Sequence, residues 1–373
     1  MPVEFSEETI THLDVNLGDQ CNLKCRMCEC WLNTDPLQLE AEALWPQVGQ
    51  ALEYVEEHCP NFEKAMIIGG EPFTHPGLVD FLLEQELDIF LSVYTNFSIE
   101  LPDVDWPDNV HFLTSLDASC EETYMKIRRT DDWETTQENM RRHADHLLHV
   151  DTTVTGLNVE EMADILAVTE EFDCGHWFLP GDPRIVDYAR TYPGNDLAQS
   201  TAESMVPHLL DEESIGVVKE FYDEHGHKER TNNLEMFLTL YYQGVEIYGH
   251  LPEYDLEIPE GIELQRPEGA CPAGERYLEI GFDDAGRYVP IFHCPELQAG
   301  VEFDLRSESE RRPSSFQPYQ GDPTPHFEAF DELMDWMSAQ YLGVDCAQHC
   351  GKTQFLGLDE YNTMLQEDAT ISD

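Results

Sequence analysis

Residues 13–28 read LDVNLGDQCNLKCRMC, and this stretch decides how the rest of the chain is read. Leu13–Leu17 is a short apolar run of strand length. A polar loop follows at once, carrying Cys21, Cys25 and Cys28, with three residues between the first two and two between the last two. Three thiolates so close, on a loop leaving a strand, can bind three irons of a cubane cluster and leave the fourth iron open. An open metal position signals chemistry in place of a purely structural role. The alternative on the same residues is zinc, with Cys30 supplying a fourth ligand.

Outward from this strand and loop, apolar runs alternate with amphipathic stretches. Strands are expected at Ala65–Gly69, Ile89–Thr95, Val110–Ser115, Val150–Thr155 and Gly175–Leu179. Helices are expected at Pro36–His58, Pro76–Glu86, Glu122–Leu148 and Val159–Phe172, with Pro46 placed to kink or split the first. Strand–helix alternation predicts an α/β fold, a partial (β/α)6 TIM-like barrel over residues 1–180. After Pro180 the pattern breaks. Gly181–Asn195 reads as a loop, Ser200–Gly226 and Arg230–Tyr248 as helices, and Gly249–Gly269 as a boundary. Tyr277–Phe282 and Arg287–Phe292 flank the turn DDAG, a hairpin signal, and Phe327–Tyr341 returns to helix. The expected organisation is a core at 1–180, a helical region at 181–262, a small α+β unit at 263–360 and a tail at 361–373.

Composition narrows the function. The 373 residues hold 20 Lys+Arg against 76 Asp+Glu, a formal net charge of −56. Such a chain repels phosphates, so general nucleic-acid binding and anionic membrane surfaces are not expected. Hydrophobic residues at 41% supply a core, which excludes a disordered acidic protein. The acid is spread along the whole chain, as suits a cytoplasm of molar salt; an ordinary acidic protein is the alternative. The opening MPVEFSEETITHLDV lacks a basic region followed by an apolar one, so a cytoplasmic location is expected. The 11 cysteines are therefore not read as disulfides, and in a reducing compartment the clustered ones read as metal ligands or reactive thiols.

Four segments in register then carry a family resemblance. The cysteine loop, IGGEP at Ile68–Pro72, SLDASCEETYMKIRR at Ser115–Arg129 and DTTVTGLNVEEM at Asp151–Met162 together resemble the radical S-adenosylmethionine (SAM) superfamily. The third resembles its peptide-modifying branch. The resemblance implies a [4Fe-4S] cluster on Cys21, Cys25 and Cys28 whose open iron takes the amino and carboxylate groups of SAM. It further implies that Gly69 and Gly70 let backbone approach the SAM amine, and that Glu71 accepts from that amine or a neighbouring amide. Ser115 and Asp117 are implied at the ribose, Arg128 at the SAM carboxylate, and the Met27 backbone at the adenine. Local readings of the same residues are a turn for the glycines, solvation for Arg128 and Arg129, and a helix cap for Asp117. Three positions depart from the family pattern: Met27 where an aromatic is frequent, Ala118 where Gly is common, and Phe97 for the Gly usual after Thr95–Asn96.

Cys271, Cys294, Cys346 and Cys350 form a second set around the expected hairpin and final helix. Their layout is similar to the auxiliary-cluster domain of SPASM-type enzymes in its shortened "twitch" form, implying one auxiliary [4Fe-4S] cluster; a four-cysteine zinc site is the alternative. His293 and His349 neighbour these ligands and are read as supporting or surface groups. Cys30, Cys59 and Cys174 are read as structural thiols, and Cys120 takes no role. The resemblance implies an oxidoreductase that cleaves SAM reductively to a 5′-deoxyadenosyl radical and takes a hydrogen atom from a peptide or small-molecule substrate. Its electron would come from a donor such as ferredoxin or flavodoxin. The rival is a non-catalytic iron–sulfur carrier or a zinc-stapled binding protein, which has no use for Gly69, Gly70 and Glu71.

Overall fold

The computed structural model describes residues 7–28, 30–32, 41–181, 184–191, 194–226, 231–248, 277–283, 286–291 and 326–340. Six strands run parallel: β1 (His12–Asn16), β2 (Lys64–Ile68), β3 (Phe90–Thr95), β4 (Val110–Ser115), β5 (Leu147–Val154) and β6 (Gly175–Pro180). Between them lie α1 (Ala41–His58), α2 (Leu78–Glu84), α3 (Glu121–Arg128), α4 (Trp133–Arg142) and α5 (Met162–Thr169). This is the expected α/β class, a six-stranded parallel sheet of partial-barrel type.

The helices cover one face of the sheet. Leu13, Val15, Ala65, Ile67, Leu91, Val93, Phe112 and Val150 point to them and join one large buried core with Leu44, Val48, Leu52 and Val55 of α1. Burial on this face supplies the main stabilisation, roughly 25 cal/mol per Å² of apolar surface. Pro46 stands inside α1 without splitting it, forfeiting only the hydrogen bond that its missing N–H would make to the Glu42 carbonyl.

Four expectations need correction. The single helix expected over Glu122–Leu148 is two, α3 and α4, because Arg129 takes a left-handed conformation (φ 60°) that closes α3. The stretch 181–195, read as loop, contains α6 (Arg184–Thr191), whose apolar period outweighs the flanking Gly and Pro residues. Ser200–Gly226 is likewise two helices, α7 (Asp196–Met205) and α8 (Glu212–His225), the second capped by Asp211 accepting from the Ser214 amide at 2.9 Å. Then comes α9 (Leu234–Tyr248).

The fourth concerns the hairpin. Strands β7 (Tyr277–Phe282) and β8 (Tyr288–Ile291) pair antiparallel, as expected, but β7 lies parallel to β1 with Asp14 opposite Glu279. The hairpin therefore continues the barrel sheet, in the order β6-β5-β4-β3-β2-β1-β7-β8. Helix α10 (Phe330–Gln340) locks it down: the Phe330 ring meets Tyr288 at 5.3 Å and Tyr54 of α1 at 5.2 Å. Among the described residues no helix is long and apolar enough to cross a membrane.

Candidate active site

The loop from Leu17 to Cys28 leaves the C-terminal end of β1, where barrels of this kind build their sites. It is clamped onto the turn after β2 by backbone hydrogen bonds. The Leu17 amide donates to Ile68 O (2.9 Å), the Gly70 amide to Gly18 O (2.7 Å) and the Glu71 amide to Gln20 O (2.8 Å). This explains both glycines. A Cβ on Gly69, which has φ +146°, would lie 2.8 Å from Gly18 O, and one on Gly70 would lie 2.7 Å from Asp19 O. Gly69 and Gly70, expected to give room to a ligand, here give room to the backbone of the cysteine loop packed against the end of β2.

Glu71 is buried and fully engaged by the protein. Its Oε1 accepts from the Phe73 amide (3.0 Å) and the Thr95 hydroxyl (2.8 Å), and its Oε2 from the Asn96 amide (2.7 Å). Of the two acceptor roles expected for it, the neighbouring amides are the one seen. Burial pushes its carboxyl up to about 7, against these three hydrogen bonds and Arg128, which favour the charged form. Asn96 extends the clamp: its Nδ2 donates to Asn22 Oδ1 (3.0 Å), and Asn22 Nδ2 donates to Ser98 Oγ (2.7 Å). Phe97 takes φ 52°, the conformation a glycine would adopt there without strain. Its ring is buried on the helix side against Phe112 at 5.5 Å, so this departure shapes the core.

Helix α3 closes the other side. The Arg26 amide donates to Ile127 O (2.9 Å), and Arg128 Nη1 lies 3.8 Å from Cys25 Sγ. Arg128 Nη2 meets Asp117 Oδ2 at 2.5 Å in a pair buried on both sides. Asp117 also accepts from the Thr153 amide at 2.8 Å. Two expectations change here. Asp117, with no exposed surface, serves Arg128 and β5 rather than facing a ribose. It is also no helix cap, since Cys120 occupies that position in α3. Burial would lower the Arg128 value, but Asp117 and Cys25 more than offset it and keep the guanidinium charged. Its Nε is buried with no hydrogen-bond partner among the described residues. Met27 is half-buried against the core, and Ser115 is half-buried at the end of β4.

Cys21 is half-buried and Cys25 is buried. Burial pushes their thiols up to about 12 and about 11. A bound cation stabilises such thiolates, as iron or zinc does. Among the described residues no three His, Cys, Asp or Glu side chains converge on one ion-sized point. A cubane asks less, since each thiolate ligates a different iron. Soft thiols on a clamped loop, with a charged guanidinium at Cys25 carrying a spare donor, fit a cluster and a carboxylate-bearing molecule beside it. Cys271, Cys294, Cys346 and Cys350 lie outside the described residues, as do His293 and His349.

A further polar chain faces the inside of the sheet. The Tyr94 hydroxyl donates to Asp151 Oδ2 (2.7 Å) and lies 3.1 Å from Ser115 Oγ. His149 Nε2 lies 3.2 Å from Asp151 Oδ1, and its ring stands edge-on to Trp177. Burial, and then Asp151, hold the Tyr94 phenol well above its ordinary range. Sequence reasoning missed Tyr94, Asp151 and His149; the one signal was the run of polar residues at alternate positions of β5.

Residues 15–171 match the Radical SAM superfamily. A comparison with curated protein sequences finds no match. Among solved structures the chain is similar to Streptococcus suis SuiB bound to the precursor peptide SuiA, at 13% identity and a TM-score of 0.45, covering 76% of this chain and 60% of that one. It is also similar to anSMEcpe with bound AdoMet, at 14% identity and TM-score 0.43, covering 75% and 71%. A third similarity is to TYW1 with a lysine–pyruvate adduct, at 16% identity and TM-score 0.32, covering 44% and 62%. The chain thus spans about 60% of the length of the SuiB structure.

Proposed function

We propose, for a chain whose residues 15–171 belong to the Radical SAM superfamily, that it is a SAM-cleaving oxidoreductase acting on a peptide or small-molecule substrate. Bound together, the cluster and SAM supply one-electron cleavage of the sulfonium and a 5′-deoxyadenosyl radical. The protein's part is to hold and orient. Cys21, Cys25 and Cys28 hold the irons on a loop fixed by Gly69, Gly70 and Glu71. Arg128, kept charged by Asp117, offers its spare Nε–H to the SAM carboxylate. Ser115 is the hydroxyl available to a ribose, and the Met27 backbone to the adenine. The single observation that carries this reading is the clamp itself: one loop presents three thiols while buried Arg128 stands 3.8 Å from the central one.

A wider assignment goes with it. Cys271, Cys294, Cys346 and Cys350 hold an auxiliary cluster in a twitch-type unit over 263–360, after the helical region 181–262 and before the tail 361–373. The wording of Ser115–Arg129 favours a peptide substrate. The enzyme works in the cytoplasm of a salt-rich cell, drawing electrons from a ferredoxin or flavodoxin. If so, its melting temperature rises steeply from tenths of molar to molar KCl, as screening shortens from about 10 Å at 0.1 M to about 3 Å at 1 M. A flat response removes the halophilic part alone.

The test is anaerobic reconstitution followed by SAM and dithionite. The expected result is about eight irons per chain, four for each cubane, and formation of 5′-deoxyadenosine. Stoichiometric zinc with no broad visible absorption overturns the reading in favour of a zinc-stapled protein.

A further inference from the structure

The chain's positive charge is not spread as its negative charge is. Acidic residues make up 76 of 373, about one in five. Yet the two eight-residue windows 21–28 (CNLKCRMC) and 123–130 (TYMKIRRT) hold five of the 20 cations and no carboxylate. The fold brings these windows together. The Arg26 amide donates to Ile127 O at 2.9 Å, and Arg26 Nε donates to Lys126 O. The buried member, Arg128, serves Cys25, as described above. Lys24 and Lys126 are exposed, and Arg26 and Arg129 are half-buried. Met125 among them is 46% exposed, one of three large hydrophobic side chains so exposed among the described residues. The other ion-paired arginines of the described surface sit against carboxylates: Arg141 with Glu171, Arg142 with Glu138 and Arg287 with Asp283. Of the four cations at this surface, among the described residues only Lys126 has such a partner, Glu122 at 2.8 Å, while buried Arg128 pairs with Asp117.

This face also lies directly over the cysteine loop. The Arg129 guanidinium stacks on the Trp31 ring, 5.4 Å from its centroid, and Trp31 Nε1 donates to Cys25 O at 2.9 Å. A short covalent and hydrogen-bonded path therefore leads from the surface to a cluster ligand.

We infer that the face formed by Lys24, Arg26, Met125, Lys126 and Arg129 is the docking site of a small acidic one-electron carrier protein. The inference rests on the proposed function, since SAM cleavage there consumes an electron that must come from outside. The carrier loses one electron and the cluster gains one; no bond is made or broken. Electrostatics selects the place. A chain at −56 repels an acidic partner over most of its surface. A face on which four cations meet one paired carboxylate, Glu122, around an exposed apolar centre is where such a partner can approach. Contact pairs of ammonium or guanidinium with carboxylate persist in molar salt, where the Debye length is about 3 Å, although long-range steering does not.

The experiment uses the reconstituted full chain and a flavodoxin reduced to its hydroquinone, at a salt concentration where circular dichroism shows each variant folded. The variants are the Lys24→Glu/Lys126→Glu pair and, as a control on α8, Lys219→Glu. Two readouts are taken. One is 5′-deoxyadenosine formation against flavodoxin concentration, beside the same assay with dithionite. The other is zero-length carbodiimide cross-linking of oxidised flavodoxin to unreconstituted protein, mapped by mass spectrometry. The paired variant is expected to raise the half-saturating flavodoxin concentration on the order of tenfold, by lost charge complementarity. Its dithionite-driven rate should stay at the wild-type level, and cross-links to the wild-type protein should map to Lys24 and Lys126. Lys219→Glu should change neither. An unchanged flavodoxin dependence overturns the inference. So does an equal loss with dithionite, which would assign these cations to the cluster. Absence of dithionite-driven cleavage in the wild type overturns the proposed function instead, and the cross-link map still reads the docking face.

Discussion

The two faces of the sheet are built on opposite rules. On the helix side, β1 presents Leu13 and Val15, β2 Ala65 and Ile67, and β3 Leu91 and Val93, each with no exposed surface. On the inner side, β1 presents His12, Asp14 and Asn16, and β5 presents His149 and Asp151. The apolar part of that inner face is small, Leu113 and Leu148 packed with Met66, Phe90 and Tyr94. Barrel interiors are ordinarily packed with branched aliphatic side chains. Polar groups buried on that face cost desolvation, so an inner face rich in them is built for chemistry and the outer face for stability. Substitutions on the two faces should therefore fail in different currencies.

The sharpest break comes from the loop that the inner side supports. Cys25→Ala should abolish 5′-deoxyadenosine formation outright while leaving the far-ultraviolet circular dichroism of the core in place, since Cys25 adds little to the aliphatic layer. Retained cleavage in that variant would remove Cys25 from the ligand set. Next in size is Arg128→Ala. It leaves the Asp117 carboxyl buried without its partner, a loss of about 3–5 kcal/mol for a broken buried pair. Chemical denaturation should show that loss, and SAM affinity should fall with it. Arg128→Lys should recover more stability than affinity, because an ammonium keeps the charge and lacks the Nε–H donor.

On the outer face Ile67→Ala should cost about 2–5 kcal/mol by removing buried methylenes. In the fraction that remains folded, SAM cleavage should be unchanged. A fall in the rate per folded molecule would show that the two faces are coupled and blunt the comparison.

How much of this was legible follows the same division. Outer-face strands announce themselves as local apolar runs, and five of the six barrel strands lie within two residues of their expected bounds; β5 starts earlier. The three cysteines and the IGGEP turn were legible because each is a local word. What local patterns do not encode is which strands become neighbours. The pairing of β7 with β1 was invisible for that reason, as was the chain Ser115–Tyr94–Asp151–His149, whose members come from three strands. The sequence singles out Gly69 and Gly70, yet the close approach of Gly18 and Asp19 backbone that they accommodate needed the loop in place. The break at Arg129 was hidden because an arginine carries no signal for a positive φ.

The smallest effect tests an exception to the rule, a titratable group on the outer face. His176 of β6 is buried against α5, its Nε2 at 2.8 Å from the Thr152 hydroxyl and its Nδ1 at 2.7 Å from that of Thr169. Burial, and then His149, lower its value from 6.5 to about 3. In the unfolded chain the same imidazole titrates near 6.5. Between these values the unfolded state binds the extra proton, so stability rises with pH across the window. It is fully present above about 6.5 and is lost as the pH falls toward about 3. The slope for one such group is at most about 1.4 kcal/mol per pH unit. Glu71 works in the opposite sense, since its raised value makes the folded state the better proton binder between about 4.5 and about 7. The wild-type slope therefore mixes the two. The difference between wild type and His176→Gln isolates the imidazole, because glutamine can meet a threonine hydroxyl and does not titrate. Denaturant melts from pH 4 to 7 should give a flatter profile for the variant, with SAM cleavage per folded molecule unaltered. If the profiles stay parallel, the native imidazole accepts its proton near the ordinary value. The outer face would then hold a charge that its apolar packing should forbid.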